Sequence, residues 1–542
     1  MIAAARAWLA QDPDPDTRAE LTVLVERAER GDAEANAELA ARFTGRLQFG
    51  TAGLRGALGA GPMRMNRVLV AQAAAGIARF LVDRSGGSAP TVVIGYDGRR
   101  NSDVFARDSA ELFAGAGVKA IVLPRTLPTP VLAFAVRHLG ADAGVMVTAS
   151  HNPPADNGYK VYLGGADEGA QIVSPTDADI AASIQGVADS GSIAELPRSD
   201  GYTIADDAVI DEYVRRTAEV QPAPTGAAGM RWVYTAMHGV GWETVRAVVA
   251  EAGYPAPEVV AEQIEPDGTF PTVAFPNPEE PGAMDLSYAT ADRAGADLII
   301  ANDPDADRVA VAIPGADGWR RLTGNDVGLL LAARAARMAV GVPGASLACS
   351  LVSSPGLGAI AARYGLDAHE TLTGFKWISR APGMVFGFEE ALGYLVNPDT
   401  VRDKDGISAA VAILGLAAEA RAEGKTLADL LDDVAGEIGH FASGQVSIRV
   451  DDVAIIADTM AGLRQDPPDA FGTFTVASAD DLMDQTPGGD ILRFWLSDDA
   501  RVIFRPSGTE PKLKAYLDVR ADTAEQATTR LAALEAAVHA IL

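Results

Sequence analysis

Apolar and polar positions along the chain alternate between two rhythms. TVVIGY (91–96), VKAIVL (118–123) and AGVMVTAS (143–150) are short, β-branched runs. Between them lie the longer periodic segments NSDVFARDSAELFAGAG and TPVLAFAVRHLG. Strand, helix, strand, helix, strand predicts a largely parallel sheet covered on both faces. After a loose segment (186–228) the rhythm returns in RWVYTAM, a helix from Gly241, PEVVAE, a helix over 284–294 and DLIIAN (297–302). A third block runs from a helix at 325–340 through SLACSLV, a helix at 355–364 and MVFGFEE to the long helix of DGISAAVAILGLAAEARAEG. Beyond about residue 440 the connections shorten, and GQVSIRV, DILRFWL, ARVIFRP and KLKAYLDVR read as antiparallel strands closed by a helix over 522–541. The expected fold class is α/β, with three related αβα domains of mostly parallel mixed sheets and a smaller C-terminal α+β domain. Residues 1–45 place Leu21, Leu24, Val25 and Ala28 at helical spacing, which predicts an amphipathic extension packed on the body, with a partner-binding helix as the alternative.

Composition narrows the function classes. The 542 residues are 48% hydrophobic, 22% charged and 6% aromatic, with a net charge of −28. Nucleic acid is an unsuitable partner for so acidic a chain, because phosphate backbones are held by clustered Lys and Arg. The single cysteine, Cys349, excludes an internal disulfide framework. MIAAARAWLAQDPDPD lacks a basic start and a long apolar core, and no 18-residue apolar run occurs, so neither a secretory signal nor a membrane partner is expected. The expected location is cytoplasmic.

Five segments carry candidate chemistry. In VMVTASHNPPADNGYK (145–160) an apolar strand ends by presenting Ser150 on a turn stiffened by two prolines. In ANDPDADR (301–308), directly after a strand, Asp303, Asp305 and Asp307 alternate, so that in extended backbone their carboxylates point one way. Three such carboxylates repel unless a cation sits among them, although a solvated acidic turn is the alternative. An EF-hand fails by position, since Arg308 and Pro314 stand where it needs Gly and Glu. RPSGTEPKLK (505–514) offers a phosphate cradle from Arg505, Ser507, Gly508 and Thr509, with a plain turn as the alternative. FGTAGLRG (49–56) combines glycines that let backbone approach a ligand with Arg55. GFEEALG (387–393) offers two carboxylates to sugar-like hydroxyls, and TGFKWI nearby supplies Lys376. Ser150 and His151 are sequence neighbours, unlike the members of a hydrolase triad, and no GxSxG elbow surrounds the serine. His238 reads as a satisfied structural histidine. A presented serine, a carboxylate metal site and a phosphate cradle together suit phosphoryl transfer through serine, which depends on positioning and charge stabilisation.

On these motifs the chain resembles the α-D-phosphohexomutases, the family of phosphoglucomutases and phosphomannomutases, from about residue 45 to the C-terminus. TASHNP resembles the family's phosphoserine loop, which implies Ser150 as phosphate carrier, with Lys160 where the family has a catalytic lysine. DPDADR resembles the magnesium loop, implying Asp303, Asp305 and Asp307 as ligands, completed by an oxygen on Ser150, with Arg308 as an adjacent cation. FEEALG resembles the sugar loop, implying Glu389 as hydroxyl acceptor, and RPSGTEPK the phosphate-binding loop. TAGLRG places Arg55 beside the reacting groups. The resemblance implies four domains around a central cleft: 46–200, 201–315, 316–438 and 439–542, after the extension 1–45. Ala391 stands where many relatives have serine, which, with FPTVAFPNPEE (270–280) and TAMHGVG, resembles the subgroup that includes phosphopentomutases.

The implied activity is a mutase that interconverts hexose 1-phosphate and 6-phosphate, with glucose as the expected sugar and mannose or pentose as alternatives. Its implied cofactors are Mg2+ and a sugar bisphosphate that is both activator and intermediate, and its partner is a small sugar phosphate. Lys160 would need a lowered pKa to act as a base. Two rivals stand beside this: an aspartyl phosphatase with Asp305 as nucleophile, and a non-catalytic sugar-phosphate sensor.

Overall fold

The structure is a computed structural model that describes every residue except Thr51, Ala52, Asp451, Thr486 and Gly508 to Pro511, together with the side chain of Val453. Two compact units result: residues 1–321 with 393–422, and residues 322–392 with 423–542.

The first unit holds two sheets built to one plan. In the first, Ala143–Val147, Thr91–Tyr96 and Lys119–Val122 run parallel, as their β-branched sequences predict. Asp156–Leu163 then returns antiparallel against Ala143–Val147, and Leu54–Ala57 adds antiparallel outside it. In the second, Leu298–Asn302 and Trp232–Thr235 are parallel, and Val309–Gly315 returns antiparallel against Leu298–Asn302. In each sheet, therefore, a loop leaves the C-terminal end of a parallel strand and reverses at once into an antiparallel neighbour. The loops are 148–155 and 303–308, the two that carry Ser150 and the aspartates.

The segment 186–228 is not loose throughout. Ala208–Ala218 is helical and buries Val209, Ile210, Tyr213 and Thr217, a one-sided stripe that the many charged residues between them obscure in the sequence. The helix Gly406–Ala422 is buried through most of its length and packs within this unit on the second sheet. Its first residue lies so close to the aspartate loop that a Cβ on Gly406 would stand 2.3 Å from the Arg308 carbonyl oxygen.

The second unit contains a parallel sheet of Asp367–Thr371, Ser346–Ser350 and Met384–Glu389. It also contains an antiparallel sheet in the order His440–Arg449, Lys512–Ala521, Ala500–Pro506, Leu492–Leu496, Phe474–Asp481. The closing helix spans Ala524–Ile541.

The N-terminal extension is three helices, Ile2–Gln11, Pro15–Glu29 and Ala33–Phe43. Its Trp8, Leu21, Leu24, Val25, Ala28 and Leu39 join the same core as Leu54 and Val68, so it is packed on the body as its periodicity predicts. Trp8 meets Phe43 edge-on at 6.1 Å and is 7% exposed. Trp8→Ala should destabilise the first unit by about 3–5 kcal/mol. The check is a lower Tm together with faster proteolysis within residues 1–45.

Candidate functional site

In the loop after Leu298–Asn302, Asp303, Asp305 and Asp307 are fully buried, and one carboxylate oxygen from each lies within 4.8 Å of the others. The convergence does not come from extended alternation. Ala306 takes a left-handed φ of +52°, and its N–H closes a turn on the Asp303 carbonyl. That turn swings the carboxylates together.

Each carboxylate has an assigned neighbour. Ser150 Oγ donates to Asp303 Oδ2 at 2.9 Å, and the Arg308 N–H donates to Asp303 Oδ1 at 3.0 Å. Lys160 Nζ bridges Asp305 Oδ2 and Asp307 Oδ2, both at 2.7 Å. Thr129 Oγ1 adds a 2.6 Å bond to Asp305 Oδ2, while Lys404 Nζ stands 3.2 Å from Asp307 Oδ2. The Arg308 guanidinium is 4.0 Å from Asp303 and 3.9 Å from Asp307. Burial, reinforced by its two acidic neighbours, pushes the Asp303 carboxyl well above its ordinary value. Burial also acts upward on Asp305 and Asp307, but there the lysines outweigh it and both carboxyls end below the usual range.

Ser150 sits 2% exposed in the loop after the strand Ala143–Val147, with a left-handed φ of +51°. Its N–H donates to Thr148 Oγ1 at 2.8 Å, which fixes the turn. His151 reaches the serine despite being adjacent in sequence, with Nδ1 3.1 Å from Oγ. Burial, followed by the charges of Arg308 and Arg55, lowers the His151 pKa well below its ordinary value, so the ring is neutral.

Lys160 differs from the expectation that it would need a lowered pKa. Burial alone lowers it, but Asp305 and Asp307 outweigh burial and hold the amine as an ammonium. Arg55, on the outer strand Leu54–Ala57, is solvent-exposed and donates from Nη1 to Asn152 Oδ1 at 3.2 Å. Gly53, two residues earlier, does not make room for a ligand: a Cβ there would stand 1.8 Å from the Tyr159 carbonyl oxygen, so it admits the chain's own return strand. His238 is 3% exposed and pairs through Nε2 with Thr272 Oγ1 at 2.8 Å, as a structural histidine should.

The second unit carries the remaining candidates. Glu389 ends the strand Met384–Glu389, and the adjacent Glu390 is tied inward, accepting from Ser350 Oγ at 3.1 Å and Ser353 Oγ at 3.0 Å. Arg505 lies on Ala500–Pro506 opposite Lys514, and the Ser507 N–H closes the hairpin on the Lys512 carbonyl at 2.8 Å. Burial and then Glu390 raise the Tyr516 hydroxyl pKa, which Arg505 opposes. Lys376 places Nζ 5.6 Å from the Trp377 ring centre. Gly508 and Thr509 fall outside the described residues.

The donor set of the aspartate loop fits a divalent cation. Among the described residues Asp305 Oδ1 and Asp307 Oδ1 are buried and have no hydrogen-bond partner, a costly state that a hard, oxygen-preferring ion would relieve. Lys404 and Thr129 are the residues of this centre that sequence motifs did not reveal. Lys404 stands between two buried aspartates in RDKDG, the one local sign of its burial.

Three family models match, described as Phosphoglucomutase/phosphomannomutase, alpha/beta/alpha domains I, II and III, over residues 46–190, 211–316 and 323–437. The chain is 55% identical to a probable phosphomannomutase of Haemophilus influenzae, covering 89% of this chain and 98% of that one. It is 34% identical to the phosphopentomutase of Mus musculus, covering 94% and 89%. In fold it is similar to a phosphoglucomutase/phosphomannomutase family protein of Burkholderia thailandensis, with a TM-score of 0.68 and 21% identity over 90% of this chain and 97% of that one. If the orphaned oxygens belong to an ion site, Asp305→Asn should weaken binding of added magnesium or manganese more than about tenfold, measured by calorimetric titration of the folded variant.

Proposed function

The chain belongs to the phosphoglucomutase/phosphomannomutase family, and from that premise we propose that it interconverts hexose 1-phosphate and hexose 6-phosphate through a phosphoserine at Ser150 and a bisphosphorylated sugar. Glucose is the first sugar of the proposal. The observation that carries it is the 2.9 Å bond from Ser150 Oγ to Asp303, at the edge of a buried carboxylate cluster that Lys160 also enters.

In the forward half-reaction the Ser150 Oγ–P bond breaks, a bond from phosphorus to the sugar hydroxyl oxygen forms, and the proton lost by that hydroxyl is balanced by one gained at Oγ. Lys160, held as an ammonium by Asp305 and Asp307, is the proton-carrying group of this step. The neutral His151, in contact with Oγ, orients the serine. In the reverse half-reaction the other phosphate of the bisphosphate returns to Oγ. Magnesium held by Asp303, Asp305, Asp307 and an oxygen on Ser150 would supply neutralisation of the charge developing on the phosphoryl group. Arg308 and Arg55 add positive charge on the same side of the chemistry. Glu389 accepts hydrogen bonds from sugar hydroxyls, and Lys376, Arg505 and Ser507, with Gly508 and Thr509, bind the phosphate that is not reacting.

A second reading keeps the chemistry and changes the sugar. Mannose is favoured by the 55% identical relative, and pentose by Ala391 and the mouse phosphopentomutase.

Ser150→Ala should lower kcat at least about a thousandfold, the scale of losing a nucleophile, with Tm unchanged. Label from phosphorylated enzyme should resist hydroxylamine, whereas label lost to hydroxylamine would indicate an acyl phosphate on Asp305. Turnover of glucose, mannose and ribose 1-phosphates should rank glucose first, and a dominant ribose rate would move the substrate to pentose.

A further inference from the structure

The turn that presents Ser150 has a deficit of donors. Pro153 and Pro154 bring no N–H, so the carbonyls around them cannot all be answered within the turn. Four of these carbonyls meet one side chain. Arg99 Nη2 donates to the carbonyl oxygens of Ser150 and Asn152, each at 2.6 Å. Its Nη1 donates to those of Pro153 at 2.9 Å and Asp156 at 3.1 Å. A guanidinium has five N–H groups, and the fifth, on Nε, faces Asp97 Oδ2 at 3.4 Å.

Arg99 is itself held in place. It is 4% exposed, and the Phe270 ring lies 4.9 Å from its guanidinium carbon. Asp97 Oδ1 accepts from the Arg99 N–H at 3.0 Å and from Ser102 Oγ at 2.7 Å. The loop that carries Phe270 packs tightly there: a Cβ on Gly268 would stand 2.9 Å from the Gly98 carbonyl oxygen. A buried arginine beside a phosphate-carrying loop would ordinarily be read as an anion binder. This one has all four of its terminal N–H groups bound to backbone carbonyls and its Nε in an ion pair with Asp97, and it reaches Ser150 through its backbone oxygen.

We propose that Arg99 is a positioning residue for the reacting serine. By gathering four carbonyls on one guanidinium it holds Ser150 in its left-handed conformation, and so keeps Oγ aimed at Asp303 while the group on Oγ alternates between hydroxyl and phosphate. The inference rests on the phosphoserine reading above. Four acceptors are shared between two nitrogens, and a lysine ammonium, with three N–H groups on one atom, cannot serve them all.

The test compares Arg99→Lys and Arg99→Ala in the full chain with glucose 1-phosphate, magnesium and a trace of glucose bisphosphate. Displacement of a reacting group by about 1 Å can cost about a hundredfold in rate, so Arg99→Lys should lose about that factor in kcat with KM changed less than about threefold. Guanidinium ion added at low millimolar concentration should restore at least tenfold of kcat to Arg99→Ala and none to Arg99→Lys, whose side chain still fills the site. Should Arg99→Ala not fold, the lysine variant decides alone. Wild-type kcat in Arg99→Lys overturns the proposal. So does a raised KM at unchanged kcat, which would mark a substrate-binding arginine. Loss of the melting transition in Arg99→Lys also overturns it, since the residue would then hold the domain rather than the serine. Ser150→Ala separates the two ideas. If it still turns over, the phosphoserine reading fails whatever Arg99 does; if it is inactive while Arg99→Lys is fully active, only the positioning role fails.

Discussion

Three aspartates buried within 4.8 Å of one another set the terms for the first unit. Like charges at that spacing repel by about 3–4 kcal/mol per pair even at an effective dielectric of about 20. A chain of ordinary marginal stability cannot leave that repulsion unanswered. The first unit answers it with Lys160, Lys404 and Arg308, each delivered by a different segment. Two carboxylate oxygens still lack a hydrogen-bond partner among the described residues. The balance stops short of completion at the place where an ion and a phosphate oxygen would be useful, so the demand for charge neutralisation and the capacity for phosphoryl chemistry share one cause.

Local geometry follows from that demand. Both loops leave a parallel strand and reverse into an antiparallel neighbour, and each contains a non-glycine residue with left-handed φ, Ser150 at +51° and Ala306 at +52°. Such a conformation costs about 1–3 kcal/mol and persists only where surroundings over-determine it. Thr148 and Arg99 supply that determination around the serine, and the Asp303 turn supplies it around the aspartates. The reverse strand has a further consequence. Lys160 lies on Asp156–Leu163 paired with Met146, so the reversal that carries Ser150 also returns a cation to the sheet end that needs one.

Strands with apolar, β-branched sequence were legible because burial on both faces leaves a continuous signal, as in TVVIGY and DLIIAN. Asp367–Thr371 was not, since DAHET lies largely exposed at its sheet's edge and needs no apolar pattern. The return strand Asp156–Leu163 was hidden for another reason. It begins within three residues of two prolines, and its polar Asn157 and Lys160 are buried for contacts that no local periodicity encodes. Gly53 of FGTAGLRG carried a true signal of close approach but not the identity of what approaches, which is Tyr159 rather than a ligand.

The sequence by itself determined the residue types of the centre: Ser150, Lys160, the three aspartates and Arg308 stand in short motifs whose chemistry is local, because a strand end and a tight turn are specified by their own neighbours. Tertiary structure alone decided how charge is balanced there. Lys404 reaches Asp307 only because the helix beginning at Gly406 docks against the Arg308 backbone, and Thr129 reaches Asp305 only because the two sheets of one unit meet. The protonation state of Lys160 was likewise out of reach of sequence, since burial and two carboxylates act on it in opposite directions and only their distances decide which prevails.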